Sequence, residues 1–86
     1  MVPYVAILVR GEGETWRAYL PDFTGCRAEG ESAEVALRRA KNRARELNNG
    51  ADWSAPRSLI EIRDDQTWAR DRGVDWQDAI VVMVTL

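Results

Sequence analysis

The sequence has 86 residues, a formal net charge of −2 and a single cysteine, and it contains no histidine. A chain of this length, residues 1–86, forms one domain because it is too short to divide its hydrophobic core in two. One cysteine excludes an internal disulfide, and without histidine the chain lacks a common zinc ligand and the usual general base. The acidic balance argues against a general nucleic-acid binder. We therefore expect a single domain that holds no metal and no cofactor.

The N-terminus and the apolar runs of the chain bear on where the protein works. The N-terminus lacks the basic region and the cleavage site of a secretion signal. The longest uncharged apolar runs, near residues 5–9 and 79–84, are far shorter than the ~20 residues of a membrane helix. These features predict a soluble protein of the cytoplasm.

Three strands are predicted at the start of the chain. Residues 3–10 are largely apolar on both alternate faces, which is typical of a central strand covered on both sides. After a hairpin turn at residues 11–14, residues 15–20 return antiparallel. Pro21 ends the ladder of that strand, and a short extended segment at residues 26–29 pairs with it across the turn. The result is a three-strand meander.

A long helix is predicted after the meander. Ser32 is a good N-cap, and apolar residues recur at helical spacing from there to about Leu47. This apolar stripe contains Ala33, Ala36, Leu37, Ala40, Ala44 and Leu47. Its small alanines allow the helix to pack closely on one face of a sheet.

The last third of the chain is less regular. Residues 57–63 fit either a short helix or an extended run, and the helix is favoured because two of its apolar residues lie three positions apart. Asp64 or Asp65 is expected to cap a further short helix that ends at Gly73. Residues 79–86 form the last strand, which we place beside the first in the interior of the sheet. The predicted order is β-β-β-α-short α-β, an α+β fold with one small, mostly antiparallel sheet.

The second face of this sheet raises a question of burial. The long helix covers one face, and the first and last strands present large aliphatic residues on the opposite face as well. Each large aliphatic residue left exposed forgoes about 1.5–3 kcal/mol. The short helical region is expected to cover only part of that face. The sequence therefore predicts a second subunit, in a homodimer or a higher homo-oligomer.

Catalysis finds little support in the sequence. Without histidine, a general base would have to be a carboxylate or the single lysine. The pair Asp64-Asp65 is interpreted as a helix cap with a first-turn acid, and a residual metal-dependent nuclease is the weaker alternative. Cys26 has no histidine to activate it and is interpreted as a small buried residue. The chain is therefore predicted not to be an enzyme.

Two sets of residues are candidates for binding. Arg38, Lys41 and Arg45 belong to a basic face of the long helix that could contact phosphate, although a solvated surface that pairs with acids elsewhere is favoured. Trp53 and Trp76 fall in loops or at the ends of elements, and one of them is a candidate anchor for a protein partner. The residues alone leave both possibilities open.

Three stretches, taken in order, resemble the HicB-like antitoxin domain. They are Tyr4-Val-Ala-Ile-Leu, then Trp16-Arg-Ala-Tyr-Leu-Pro-Asp-Phe-Thr-Gly-Cys, then Glu29-Gly-Glu-Ser-Ala-Glu-Val-Ala-Leu with Ala40 following. The resemblance is close over residues 3–48 and looser over residues 56–86. It implies a partly degraded ribonuclease H-like fold without nuclease activity. It also implies an antitoxin that binds and neutralises a HicA-like toxin, a small basic ribonuclease that cleaves mRNA.

The resemblance leads to expectations about partners and about the binding site. A toxin is expected to bind at the sheet edge and the proline turn, where aromatic residues stand beside acids that could face basic groups. These candidate residues are Trp16, Tyr19, Phe23, Glu29 and Glu31. Many HicB proteins continue into a C-terminal DNA-binding segment, which is not expected here, so operator binding is not expected either. The alternative function is a stand-alone nucleic-acid-binding accessory domain that uses Arg38, Lys41 and Arg45.

Overall fold

The structure, a computed structural model, describes residues 3–11, 13–23, 25–48 and 56–85. The strands are β1 (Pro3–Arg10), β2 (Trp16–Tyr19), β3 (Arg27–Gly30) and β4 (Ile80–Thr85). They form one antiparallel sheet in the order β3-β2-β1-β4. The predicted meander is confirmed, and so is the position of the last strand beside the first.

The prediction that the last strand lies in the interior of the sheet is wrong. β1 is the central strand, because Ile7 lies opposite Tyr19 of β2 on one side and opposite Val81 of β4 on the other. β4 pairs with β1 alone, and in the described part of the chain no strand follows it in the sheet. An apolar pattern on both faces therefore marks an edge strand here as well as a central one.

The helices are α1 (Ala33–Asn48), α2 (Leu59–Asp64) and α3 (Gln66–Arg72). The predicted cap at Ser32 is confirmed, since its hydroxyl oxygen accepts a hydrogen bond from the backbone N–H of Val35 at 3.1 Å. Ser58 and Glu61 form a capping box at the start of α2, so the helical interpretation of residues 57–63 is confirmed. Asp65 caps α3. Within the described residues, no helix has both the length and the apolar composition needed to cross a bilayer.

Two apolar clusters pack on opposite faces of the sheet. The face under α1, here called the α1 face, carries a cluster of Tyr4, Ala6, Leu8, Ala18, Leu20, Cys26, Ala36, Ala40, Ala44 and Val84. The opposite face, here called the α3 face, carries a cluster of Val5, Ile7, Val9, Tyr19, Ile62, Trp68 and Ala69. β1 contributes alternate residues to both clusters, which is why both of its faces are apolar.

The chain covers most of its own second sheet face. α2 and α3 bury the β1 residues of the α3 face, of which Ile7 is completely inaccessible. On β4, however, Ile80 is 44%, Val81 36% and Met83 58% exposed. Val81 and Met83 lie on the α3 face, opposite Ile7 and Val5. The part of the sheet that the helices leave uncovered, as expected from the sequence, is therefore the edge strand β4.

A polar clasp joins the proline turn to the start of α2. The Asp22 carboxylate accepts hydrogen bonds from Nε of Arg57 at 2.8 Å and from its backbone N–H at 3.2 Å. The same guanidinium donates through Nη2 to the carbonyl of Pro21 at 2.8 Å. Arg57 thus ties the proline turn, which carries Phe23, to the segment that leads into α2.

Candidate partner-binding surfaces

One end of the sheet brings together Trp16, Glu29 and Glu31. Trp16 begins β2 and lies directly opposite Gly30, so the two glutamates flank its partner in the register. The indole of Trp16 is half-buried, and the guanidinium carbon of Arg10 lies 5.7 Å from the centroid of its ring. Both glutamates are exposed. This end of the sheet therefore carries Trp16 on the α1 face and Glu29, which pairs with Arg27 at 3.6 Å, on the opposite face.

The other end of β2 holds the two remaining predicted aromatic residues. Tyr19 is only 1% exposed, its hydroxyl donates to the carbonyl of Arg72 at 3.5 Å, and its ring meets that of Trp68 edge-on. Tyr19 is thus a core residue, which corrects the expectation of an exposed aromatic at this position. Phe23 is half-buried, with its ring centroid 5.0 Å from that of Tyr4. The predicted site residues are therefore split between the two ends of β2.

An arginine that the sequence analysis did not select lies beside the acids. Arg17 is directly opposite Glu29, and both line a cavity of about 330 Å³ together with Gly11 and Thr15. Nε of Arg17 is buried and has no hydrogen-bond partner among the described residues. A buried donor without an acceptor costs free energy. The signal in the sequence was a charged residue inside a short apolar strand.

The basic residues of the alternative function do come together on α1. Arg38, Lys41 and Arg45 line one shallow groove of about 230 Å³ along the helix. Among the described residues none of the three forms an ion pair, and Arg45 donates only to the side-chain oxygen of Asn42 at 3.1 Å. We call these three residues the basic stripe. The expected pairing with acids elsewhere is thus not seen in the described part of the chain.

Two of the residues considered for catalysis, Cys26 and Asp65, have structural roles in the fold. Burial raises the pKa of the Cys26 thiol from 9.0 to about 11, and this thiol donates to the carbonyl of Ala40 at 3.3 Å. The Asp65 carboxylate accepts the backbone N–H of Trp68 at 3.1 Å as the N-cap of α3, whereas Asp64 is exposed. Cys26, directly before β3, therefore packs against α1 in its protonated form. Asp65 has the predicted capping role, but Asp64 is the last residue of α2 and not a first-turn acid of α3.

Of the two tryptophans considered as anchors for a partner, Trp53 and Trp76, the structure describes only Trp76. Trp76 stacks on Trp68, with ring centroids 6.1 Å apart, and the Arg63 guanidinium carbon lies 5.6 Å from the centroid of its ring. It therefore packs against the cluster on the α3 face. Trp53 lies outside the described residues.

The order of the strands, with one long helix on one face and two short helices on the other, defines an α+β domain built on a single antiparallel sheet. This is the fold of the N-terminal domain of the antitoxin HicB from Burkholderia pseudomallei, with a TM-score of 0.72 at 14% identity over 99% of this chain and 98% of that one. The expected α+β fold and the resemblance in fold are thus confirmed.

Two longer antitoxin structures share the same fold. The B. pseudomallei antitoxin HicB matches with a TM-score of 0.72 at 13% identity, and the antitoxin HicB3 with 0.66 at 20% identity. The chain spans 62% of the length of each. No protein-family model and no curated protein matches the sequence. At these identities the likeness is one of fold.

Proposed function

We propose that this chain is a non-enzymatic antitoxin of the cytoplasm that binds and neutralises a HicA-like, mRNA-cleaving toxin. The observation that carries the proposal is the match in fold to the N-terminal domain of an antitoxin over almost the whole of both chains. The resemblance of residues 3–48 to the HicB-like domain, stated from the sequence, supports it independently. The same resemblance implies a partly degraded ribonuclease H-like fold.

The toxin-binding surface in this proposal runs along the β2–β3 side of the sheet, from Trp16, Glu29 and Glu31 at one end of β2 to Phe23 on the proline turn at the other. The exposed acids Glu29 and Glu31 complement a basic ribonuclease, and Trp16 and Phe23 each present part of an aromatic ring. Tyr19 supports this surface indirectly, because its contacts with Arg72 and Trp68 hold β2 against α3.

The experiment is to co-express the chain with a small basic protein encoded by a neighbouring gene and to measure both capture and rescue of growth. The double variant Phe23→Ala/Glu31→Lys is expected to weaken toxin binding by about thirtyfold or more, because hot-spot residues contribute about 2 kcal/mol or more. Titration calorimetry with an inactive toxin measures the change.

A matched control makes the same kinds of change elsewhere. Ile60→Ala/Asp71→Lys removes a large exposed aliphatic side chain from α2 and reverses an exposed acid on α3. We expect wild-type affinity for this control. Equal affinity of both double variants would exclude the proposed surface, and failure of the wild type to bind any such toxin would exclude the proposed function.

The second candidate function is a nucleic-acid-binding accessory domain, and it is favoured by the basic stripe on α1, which forms no ion pair within the described part of the chain. Three phosphate contacts predict that affinity falls about fortyfold between 50 and 200 mM salt. Fluorescence anisotropy with labelled RNA and DNA measures this, with Arg38→Gln/Lys41→Gln/Arg45→Gln as the variant expected to abolish the salt dependence. Absence of binding at 50 mM salt would exclude this function.

We also propose that the chain self-associates as a homodimer or a higher homo-oligomer. The support is the exposure of three large apolar side chains, Ile80, Val81 and Met83, which lie together on the single strand β4. Sedimentation equilibrium at micromolar concentration measures the oligomeric state directly.

A further inference from the structure

β4 is an edge strand without the features that keep natural edge strands from pairing. Its sequence, Ile80-Val-Val-Met-Val-Thr, has no charged residue and no proline. Natural sheets protect edges with lysine, proline, bulges or a covering element. In the described part of the chain no element lies beyond β4 in the sheet, and both of its faces include exposed apolar residues. The strand is therefore open to pairing with another strand.

The opposite edge of the same sheet is protected. β3 carries exposed Arg27 and Glu29, whose side chains lie 3.6 Å apart. In addition, Nη1 of Arg39 donates to the backbone carbonyl of Glu29 at 2.9 Å and so occupies an acceptor of this strand. The two edges differ in the way expected when one is kept from pairing and the other is not.

We propose that β4 pairs antiparallel with β4 of a second copy about a two-fold axis, so that two sheets become one continuous sheet of eight strands. This deepens the self-association proposed above and names its surface. It does not depend on toxin binding, because the candidate toxin surface lies at the far side of the sheet, on β2, β3 and the proline turn.

The register follows from the two faces of the strand. A two-fold axis perpendicular to the sheet keeps every residue on its own face, so residues pair only with residues of the same face. Ile80, Val82 and Val84 lie on the α1 face, opposite Leu8, Ala6 and Tyr4. With Val82 on the axis, Ile80 pairs with Val84 of the second copy and Val81 with Met83 of the second copy.

This register places every exposed apolar residue of β4 against an apolar residue. The next register, with Met83 on the axis, pairs Val81 with Thr85 and carries Ile80 beyond the end of the partner strand. It buries less apolar surface, and the register centred on Val82 is therefore preferred.

The charges of α1 do not oppose this arrangement. α1 packs mainly on β3 and β2, and both copies of it lie on the same face of the joined sheet. Two helices centred near β2 are separated by five strand spacings, about 24 Å. That distance exceeds the Debye length of about 8 Å at physiological salt, so the two basic stripes repel each other only weakly.

Disulfide trapping tests the pairing and its register. Val82→Cys places two cysteines directly opposite each other across the axis, with Cα atoms about 4.5–5.5 Å apart, within the range of a disulfide, and is expected to give a covalent dimer on mild oxidation. Met83→Cys places them diagonally, about 7–8 Å apart, and is expected to give much less. Wild type is the background control, because Cys26 is buried with its pKa at about 11. Arg27→Cys, on the protected edge, controls for random collision.

Charge variants test the same register without cysteine. Val81→Lys/Met83→Lys places lysines opposite lysines at both symmetry-related pairs, whereas Val81→Glu/Met83→Lys places opposite charges there. The dimer dissociation constant from sedimentation equilibrium is expected to be more than about tenfold higher for the first variant than for the second. Circular dichroism checks that both variants are folded, which we expect because both substituted residues are exposed.

The possible results distinguish pairing through β4 from self-association in general. A wild-type monomer at micromolar concentration would overturn self-association and the pairing together. A dimer that Val82→Cys does not trap and that the charge variants do not weaken would overturn pairing through β4 and leave self-association standing. Trapping of Met83→Cys in preference to Val82→Cys would overturn the register.

Discussion

Ile62→Ala is expected to lower the free energy of unfolding by about 2–5 kcal/mol, the range for deleting a large aliphatic side chain from a core. Ile62 lies on α2, is 0% exposed, and packs in the cluster on the α3 face with Val5, Ile7 and Trp68. Its removal leaves a cavity between α2 and β1. Because β1 is paired with β2 on one side and β4 on the other, it cannot easily move to fill that cavity. Urea denaturation followed by tryptophan fluorescence measures the change.

The same helix provides a matched control. Ile60 lies two positions earlier and is 73% exposed, so Ile60→Ala is expected to change the free energy of unfolding by no more than about 0.5 kcal/mol. If Ile62→Ala is too unstable to measure, Ile62→Val is expected to cost about 0.5–1.5 kcal/mol and keeps the comparison possible. Equal effects at positions 60 and 62 would mean that α2 does not cover the sheet as described.

This comparison also decides which surfaces remain for partners. If α2 and α3 close the α3 face over β1, a partner cannot bind to the centre of the sheet on that side. The accessible surfaces are then the open edge of β4, the β2–β3 side of the sheet with the proline turn, and the outer side of α1. Each of the proposals made for this chain uses one of these three surfaces.

Local patterns in the sequence were sufficient for most of the fold. The two-faced apolar pattern of residues 3–10, the proline at the end of β2 and the capped alanine stripe each act within a few residues, and each appears as expected. The ambiguity at residues 57–63 had a local answer too. Ser58 and Glu61 have the spacing of a capping box, and this signal favours a helix over a strand.

What the sequence did not provide depends on contacts between distant residues. β1 and β4 have similar apolar patterns, and only the pairing with β2 makes β1 the central strand. Tyr19 is buried because Trp68, 49 positions later, packs against it. The clasp between Asp22 and Arg57 likewise spans 35 positions. A pattern read within ten residues has no access to such contacts, and the candidate site was therefore less predictable than the fold.

Gly30→Ala is expected to lower the free energy of unfolding by about 1–3 kcal/mol, the usual cost of overpacking. Gly30 ends β3, where the first turn of α1 crosses closest to the sheet. An added Cβ would lie 2.6 Å from the backbone nitrogen of Ala36 and 2.8 Å from Cγ1 of Val35. Val35 can change its rotamer, but the nitrogen moves only if α1 moves with it. The backbone of Gly30 does not have a positive φ, so the cost is steric rather than conformational.

The neighbouring residue separates this steric effect from a general weakness of the segment. Glu31→Ala changes an exposed side chain and is expected to stay within about 0.5 kcal/mol of wild type in urea denaturation. The double variant Gly30→Ala/Val35→Ala relieves only the side-chain contact, so it should remain less stable than Val35→Ala alone. If Gly30→Ala unfolds at the same urea concentration as wild type, α1 does not approach β3 this closely. Because α1 begins at Ala33, two residues after Glu31, a displaced helix would also move the acids proposed to meet the toxin. Gly30→Ala should then weaken toxin binding although it alters no contact residue.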